Sequence, residues 1–146
     1  LRTGNKLLAV ITLFLDIIKG FLPVIVTQNY FPELIQLSCL LAFLGHIFPI
    51  WLKFKGGKGV ATFMILSLYT VPLMFFMMAF SWIAFYKMFY IVSLSSIVAM
   101  FSALAYQIPF NSDYLLSSFV LGLLIIYKHK DNLQRIFAGE EQSFKK

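Results

Sequence analysis

The chain has 146 residues, of which 60% are hydrophobic and 12% are charged, whereas roughly a quarter of the residues in a soluble domain carry charge. So few charges cannot coat a water-soluble globule, and the 17 Phe, 7 Tyr and 2 Trp residues fit lipid-facing surfaces and interfacial belts. The formal net charge of +6 comes from a few basic clusters without the basic face of a nucleic-acid-binding domain, so lipid is the expected surrounding and nucleic acid is not an expected partner.

The first half of the chain contains two apolar segments long enough for membrane helices. The segment from Leu7 to Val26 has about the 20 residues that cross a hydrocarbon core of roughly 30 Å. A turn is predicted from Thr27 to Pro32, and a second span from Leu34 to Leu52. A basic, glycine-rich loop from Lys53 to Gly59 follows, as expected for a connection between helices.

The second half is predicted to contain three or four further helices. The apolar run from Val60 to Tyr86 is too long for one ordinary span, and Pro72 near its middle would break a helix. We therefore predict two short helices there. A span, a polar turn, a last short helix and a polar tail are predicted at Phe89 to Tyr106, Gln107 to Asp113, Leu115 to Tyr127 and from Lys128 onward.

The distribution of Lys and Arg favours the larger helix count. Basic residues lie near the N-terminus, in the central loop and in the tail, and the positive-inside rule places all three on one side of the membrane. Only a split of the run from Val60 to Tyr86 gives the four crossings that put loop and tail on the same side. The prediction is therefore an all-α integral membrane protein with about six transmembrane helices, some of them short and buried by neighbours.

Asp16 and Lys19 are ionisable residues inside the first span. Their i, i+3 spacing places them on one helix face, where they can pair. Charged groups in lipid are costly and mark functional sites by default. An ion pair that only fixes helix packing is the structural alternative.

The strongest local motif is Gly45 to Pro49 followed by Phe54 to Thr62, which contains Gly-Gly-Lys-Gly. Glycines around a lysine let backbone N–H groups approach an anion, and the next helix adds its N-terminal partial positive charge. The pattern is not a Walker loop, because Val60 rather than Ser or Thr follows it. A plain basic turn is the alternative, as a packed residue is for His46.

Ser93 and the tail from Lys128 to Arg135 are further polar features. A serine run in a membrane helix usually serves packing or backbone hydrogen bonds, with phosphate binding as the alternative. Helical spacing places His129, Asn132 and Arg135 on one side, which suits a polyanionic ligand. A basic stretch attracted to anionic lipid is the simpler interpretation. No spacing in the sequence indicates metal or catalytic-triad chemistry.

Together these segments resemble the PlsY family of bacterial acyl-phosphate:glycerol-3-phosphate acyltransferases. The stretch GHIFPIWLKFKGGKGVAT, residues 45–62, is similar to the family's central motif, and KHKDNLQRIFAGEE, residues 128–141, to its C-terminal motif. The opening LRTGNKLLAV and DIIKG, residues 16–20, resemble the stretch that follows the family's first motif. The resemblance implies a seven-helix fold, so residues 1–146 are expected to form a single domain that lacks the first helix and first motif.

The resemblance implies transfer of an acyl group from acyl phosphate to glycerol 3-phosphate, which gives lysophosphatidic acid and phosphate without a cofactor or metal. It implies a bacterial inner-membrane protein with its site facing the cytoplasm, membrane lipid around it, and an acyl-phosphate-producing enzyme as pathway neighbour. By position it implies catalytic roles for His129, Lys58 and Ser93. The substrate-binding residues that it implies are Arg2, His46, Lys55, Gly56, Gly57, Gly59, Asn132 and Glu140.

Two alternatives to an active acyltransferase follow from the sequence. A non-catalytic remnant of the enzyme is one, because the chain begins past the family's first motif. A small transporter for an anionic metabolite is the other, because charges and glycine breaks occur within the spans. No inverted repeat is apparent, which disfavours the transporter.

Overall fold

The computed structural model describes residues 6–110 and 114–145, and all regular secondary structure in these ranges is helical. The α-helices are α1 Lys6–Tyr30, α2 Ile35–Ile47, α3 Val60–Thr70, α4 Pro72–Phe89, α5 Val92–Phe110, α6 Leu115–Lys128 and α7 Lys130–Phe137. Two 3₁₀ turns, Pro32–Leu34 and Ile50–Leu52, lie on either side of α2. The prediction of an all-α chain with six apolar helices before a polar tail is confirmed for these residues.

The apolar helices differ in length. Within the described ranges, three are long and apolar enough to cross a membrane, over Val10–Tyr30, Pro72–Phe89 and Val92–Pro109, and three shorter ones cover Pro32–Ile47, Val60–Thr70 and Leu115–Lys128. Large apolar side chains point outward from them, and Phe14 of α1 and Phe80 of α4 are 60% and 76% exposed. Water would solvate such helices poorly, whereas lipid would cover them favourably.

The described chain forms two compact units, Leu1–Leu66 and Ser67–Lys146, with the boundary inside α3. In the first unit α1 packs against α2, around the buried side chains of Val24, Phe43, Ile47 and Phe63. In the second unit α5 packs against both α4 and α6, around Met74, Met78, Met100 and Ile125. That residues 1–146 form a single domain stays a prediction.

Hydrogen bonds between polar side chains join α4 to α5 inside the second unit. The hydroxyls of Ser81 and Ser102 lie 2.9 Å apart, and Trp82 Nε1 donates to Ser96 Oγ at 3.1 Å. Ser95 donates back to the carbonyl oxygen of Ile91 at 2.8 Å. Ser95 and Ser96 therefore serve packing and backbone bonding, as the structural interpretation of the serine run predicted.

The break between α3 and α4 falls where the sequence predicted it. Val71 lies outside the helical region, with φ −142° and ψ 80°, and Pro72 occupies the first position of α4. A proline disfavours the helical region for the residue before it and has no N–H to lose in a first turn. The run from Val60 to Tyr86 is thus confirmed as two helices.

Two helix ends in the first unit differ from the prediction. Helix α1 continues to Tyr30, through residues that were predicted as a turn, while α2 ends at Ile47 instead of continuing to Leu52. Pro49 explains the early end, because it forces Phe48 out of the helical region, to φ −123° and ψ 56°. The chain resumes only as the 3₁₀ turn Ile50–Leu52.

The corner between α4 and α5 and the end of α5 also differ from the prediction. Helix α4 runs to Phe89, Tyr90 caps it in a left-handed conformation at φ 57°, and α5 begins at Val92. The Tyr90 carbonyl oxygen accepts the N–H of Phe144 at 2.9 Å, so the tail returns to this corner. Helix α5 continues through Pro109, and the rest of the predicted turn, residues 111–113, lies outside the described residues.

Candidate functional site

The glycine loop, residues 53–59, turns back against the end of α2. Lys53 and Phe54 have φ of 51° and 62°, a left-handed conformation that is uncommon for residues with side chains. The N–H of Gly56 donates to the carbonyl oxygen of Ile47 at 3.1 Å. This bond fixes the middle of the loop to the last residue of α2.

Gly59 ends the loop directly before α3. Its φ is 83°, and a Cβ atom at this position would lie 2.6 Å from the ring of Phe43, so only glycine fits without strain. Lys55 and Lys58 are exposed on the same loop. Two lysines shortly before the N-terminal N–H groups of α3 form a setting that favours an anion.

His46 lies under the middle of the loop and is 6% exposed. A Cβ atom on Gly57 would collide with Nε2 of its imidazole and lie 2.7 Å from Cε1. The backbone of Gly57 therefore rests on the edge of the ring, a closeness that only a residue without a side chain permits. The ring is thus in direct contact with the middle of the loop.

Asp16 of α1 reaches both Lys19 and His46. Its Oδ1 atom lies 2.5 Å from Lys19 Nζ and 3.6 Å from His46 Nδ1. The predicted i, i+3 ion pair is thus confirmed. The structure adds the contact with His46, which sequence spacing did not indicate.

The second unit contains a polar cluster centred on one carboxylate. Ser93 Oγ and Asn132 Nδ2 donate to Glu141 Oε1 at 2.8 Å and 2.5 Å, and Arg135 Nε donates to Oε2 at 2.7 Å. The Glu141 side chain is 8% exposed. These four residues, the Glu141 cluster, fasten α5, α7 and the tail to one another through charge-assisted bonds.

The pKa of Glu141 reflects two opposed effects. Burial raises the pKa, but the hydrogen bonds from Asn132, Ser93 and Arg135, together with the charge of Arg135, outweigh burial and lower the pKa below its ordinary value of 4.5. Each donor stabilises the ionised carboxylate. The cluster is therefore assembled around a negative charge.

This lowered pKa predicts a loss of stability in acid. A carboxyl group whose pKa is lower in the folded than in the unfolded state contributes stability fully above its ordinary pKa and loses it as the pH falls through the folded-state pKa. The check is thermal unfolding in detergent from about pH 6 to about pH 3. The melting temperature of the wild-type protein should fall more steeply than that of a Glu141→Gln variant, and equal slopes would contradict the assignment.

His129 is 1% exposed and lies between α6 and α7. Its Nδ1 atom is 2.8 Å from the carbonyl oxygen of Ile125. Because a carbonyl oxygen only accepts, this bond places the proton of a neutral imidazole on Nδ1 and makes Nε2 the basic nitrogen. Nε2 is thus the atom of His129 that could accept a proton or bind an acidic group.

The structure brings the predicted residues together in two groups. His46, Lys55, Gly56, Gly57, Lys58 and Gly59 are in or under the glycine loop. Ser93 and Asn132 are partners in the Glu141 cluster, and His129 lies three residues before Asn132. Glu140 is exposed, so the carboxylate of the cluster is its neighbour Glu141. Arg2 lies outside the described residues.

The contacts of Glu141 with its three donors and the contact of Asp16 with His46 were not predicted from the sequence. No motif distinguishes Glu141 from Glu140, and the signals for Asp16, its place within an apolar helix and its spacing from Lys19, did not point to His46. Within residues 6–110 and 114–145, no three His, Cys, Asp or Glu side chains are grouped as metal ligands would be. That the protein works without metal or cofactor stays a prediction.

Comparisons with known proteins agree with one another. Residues 1–139 match the family model described as glycerol-3-phosphate acyltransferase. A protein of that name from Pelagibacter ubique is 40% identical over 145 residues, which are 99% of this chain and 76% of the relative. One from Sinorhizobium medicae is 42% identical over 142 residues, which are 97% of this chain and 70% of the relative.

Solved structures give the same result. Two crystal structures of PlsY, an integral membrane glycerol 3-phosphate acyltransferase, match with a TM-score of 0.88 and 33% identity. Each match covers 99% of this chain. It covers 76% of the PlsY chain in the lysophosphatidic acid form and 74% of the PlsY chain in the glycerol 3-phosphate form. The predicted fold class, an all-α integral membrane protein, is confirmed.

Proposed function

Because the chain belongs to the glycerol-3-phosphate acyltransferase family, known as the PlsY family, we propose that it transfers a fatty acyl group from acyl phosphate to glycerol 3-phosphate. The family membership supports the acyltransferase activity and the acceptor. The observation that carries the proposal within the chain is the glycine loop, where two exposed lysines precede the start of α3. That arrangement suits a phosphate group.

The proposed reaction breaks one bond and forms another at the acyl carbon. The 1-hydroxyl oxygen of glycerol 3-phosphate attacks the carbonyl carbon, and the bond from that carbon to the phosphate oxygen breaks. The hydroxyl proton passes to a phosphate oxygen of the substrate, and lysophosphatidic acid and phosphate leave. Acyl phosphate is already activated, so the protein needs mainly to orient the hydroxyl and stabilise charge on the departing phosphate.

In the first unit, we assign phosphate binding to the loop. Lys58 and Lys55 supply positive charge, and Gly56, Gly57 and Gly59 let backbone N–H groups approach the oxygens. His46 supports the loop from below, as its contact with Gly57 indicates. Arg2 is assigned to phosphate binding by its position in the family pattern.

In the second unit, we assign substrate contacts to Ser93, His129 and Asn132. The proton of Ser93 is committed to Glu141, so its oxygen can act on a substrate only as an acceptor. Nε2 of His129 can accept a hydrogen bond from a substrate hydroxyl, and in the protonated ring it can donate one to a substrate phosphate. Asn132, three residues further along, is held in place by Glu141. Glu140 is exposed, and we assign it to the rim of the substrate site.

The cellular setting follows from the same proposal. Basic residues occur in the central loop and the tail, which supports the proposal that both face the cytoplasm from a bacterial inner membrane. Glycerol 3-phosphate would arrive from the cytoplasm and the acyl donor from the membrane. An enzyme that makes acyl phosphate must therefore act before this one.

The test is an assay of phosphate released from acyl phosphate when glycerol 3-phosphate is added. The protein is expressed from its complete reading frame and placed in lipid. We expect release that depends on glycerol 3-phosphate, and we expect Lys58→Ala to lower kcat/KM about a hundredfold, because it removes a charge that stabilises the transition state. Lys87→Ala, which changes an exposed lysine at the end of α4, should leave kcat/KM unchanged.

Three outcomes would contradict the proposal. Transfer from another acyl donor, with none from acyl phosphate, would exclude the donor but keep the acceptor. Uptake of glycerol 3-phosphate into vesicles without acylation would favour a transporter. Absence of both activities would favour a non-catalytic remnant.

A further inference from the structure

The contact of Asp16 with His46 has no role in the reaction proposed above. Asp16 lies in the apolar helix α1, where a carboxylate is energetically costly and is therefore a candidate for a functional role. Its side chain is 23% exposed, against 44% for that of Lys19, its ion-pair partner. Lys19 belongs to the same helix, so their pairing by itself connects no other element to α1.

Asp16 connects α1 to α2 through the imidazole of His46. The distance of 3.6 Å from Oδ1 to Nδ1 is longer than a hydrogen bond but close enough for the carboxylate to attract an N–H group on Nδ1. A carboxylate beside one ring nitrogen favours the proton on that nitrogen and holds the ring in one orientation. Asp16 therefore favours the form of His46 with its proton on Nδ1.

The opposite edge of the same ring supports the glycine loop. Nε2 of His46 faces Gly57 closely enough to exclude a Cβ atom, and the ring is buried. A ring that turned would push against the backbone of Gly57 or withdraw from it. Either movement would shift the N–H groups and lysines of the loop.

We propose that Asp16 is a positioning residue that sets the affinity for glycerol 3-phosphate by holding His46 under Gly57. The inference rests on the proposed function, because it takes the loop as the binding site for a substrate phosphate. Asp16 itself touches no substrate. Its loss should weaken binding of glycerol 3-phosphate and leave the chemical step largely intact.

The experiment compares Asp16→Asn with Glu33→Gln, which removes an exposed carboxylate of the same unit. In the full-length protein in lipid, KM for glycerol 3-phosphate should rise about tenfold in Asp16→Asn, with kcat changed less than KM. The Kd for glycerol 3-phosphate, from calorimetry without an acyl donor, should rise by a similar factor. Glu33→Gln should leave both constants unchanged.

A double variant tests whether Asp16 acts through His46. In a His46→Asn background, where the side-chain amide replaces Nδ1 and nothing replaces Nε2, Asp16→Asn should add little to KM, because both changes disturb one support. A further variant, Asp16→Asn with Lys19→Met, removes both members of the ion pair. It should keep the high KM if Asp16 acts on His46, and regain the wild-type KM if Asp16 only neutralises Lys19.

The outcomes separate this inference from the proposed function. An active wild-type protein whose KM and Kd do not change in Asp16→Asn would overturn the inference alone. A fall in kcat and in melting temperature without a change in Kd would also overturn it, because that pattern indicates a purely structural role. A wild-type protein that neither binds nor acylates glycerol 3-phosphate would overturn both.

Discussion

Replacing Glu141 with Gln is expected to destabilise the second unit and to lower acyl transfer strongly. The carboxylate accepts hydrogen bonds at both oxygens, from Ser93 and Asn132 on one and from Arg135 on the other. A glutamine side chain has one oxygen and one NH₂ group. In either orientation, the NH₂ group therefore faces a hydrogen-bond donor of the cluster. The loss of a charge-assisted bond and the new mismatch should lower the free energy of unfolding by about 2 kcal/mol.

Activity should fall further than stability alone explains. Asn132 and Ser93 are held by Glu141, and a displacement of substrate-contacting groups by about 1 Å lowers the rate about a hundredfold. Both quantities are measured in one preparation, by thermal unfolding in detergent and by phosphate release in lipid. Glu33→Gln is the control, because it makes the same change on an exposed carboxylate that has no assigned role in substrate binding. Equal effects in the two variants would contradict the role of the Glu141 cluster.

Gly57→Ala is expected to impair activity while leaving the fold intact. The new methyl group would collide with the His46 ring, and the ring is buried whereas Gly57 is exposed. The loop, not the ring, should therefore move. A shift of about 1 Å in phosphate-binding groups should lower kcat/KM about a hundredfold. Most of the change should be in KM for glycerol 3-phosphate.

Gly45→Ala is the control for this substitution. Gly45 lies in α2 one residue before His46, and a Cβ atom there meets nothing within 4 Å among the described residues. Alanine favours a helix over glycine by about 1 kcal/mol, so this variant should be at least as stable as the wild type and equally active. If Gly57→Ala behaves like Gly45→Ala, the loop does not depend on its contact with His46.

Prolines explain which helix ends could be predicted from the sequence. Pro72 stands in a run too long for one span, so length and residue type both indicated the break. Pro49 stands in an apolar run of ordinary length, so the predicted helix continued past it to Leu52. Pro109 shows the reverse error, because a proline in the last turn removes only one hydrogen bond and the helix tolerates it.

Those parts of the candidate site whose chemistry follows from residue types could be predicted from the sequence. Those that depend on which way the backbone turns a side chain could not. The lysines and glycines of the loop were evident from the motif. The choice between Glu140 and Glu141 depends on the turn after α7, where Gly139 has a φ of 72° and the N–H of Glu140 donates to the carbonyl oxygen of Arg135 at 2.8 Å. That turn directs the second glutamate inward, and residue types alone do not contain this information.

The return of the tail to the corner between α4 and α5 has a practical consequence for handling the protein. Glu141 and the backbone N–H of Phe144 both bind residues near the start of α5, so residues 141–144 belong to the folded unit. A truncation after Gly139 would leave Arg135 without its carboxylate and the Tyr90 carbonyl oxygen without its donor. A protease site or a purification tag placed before Glu141 would therefore disrupt the folded unit.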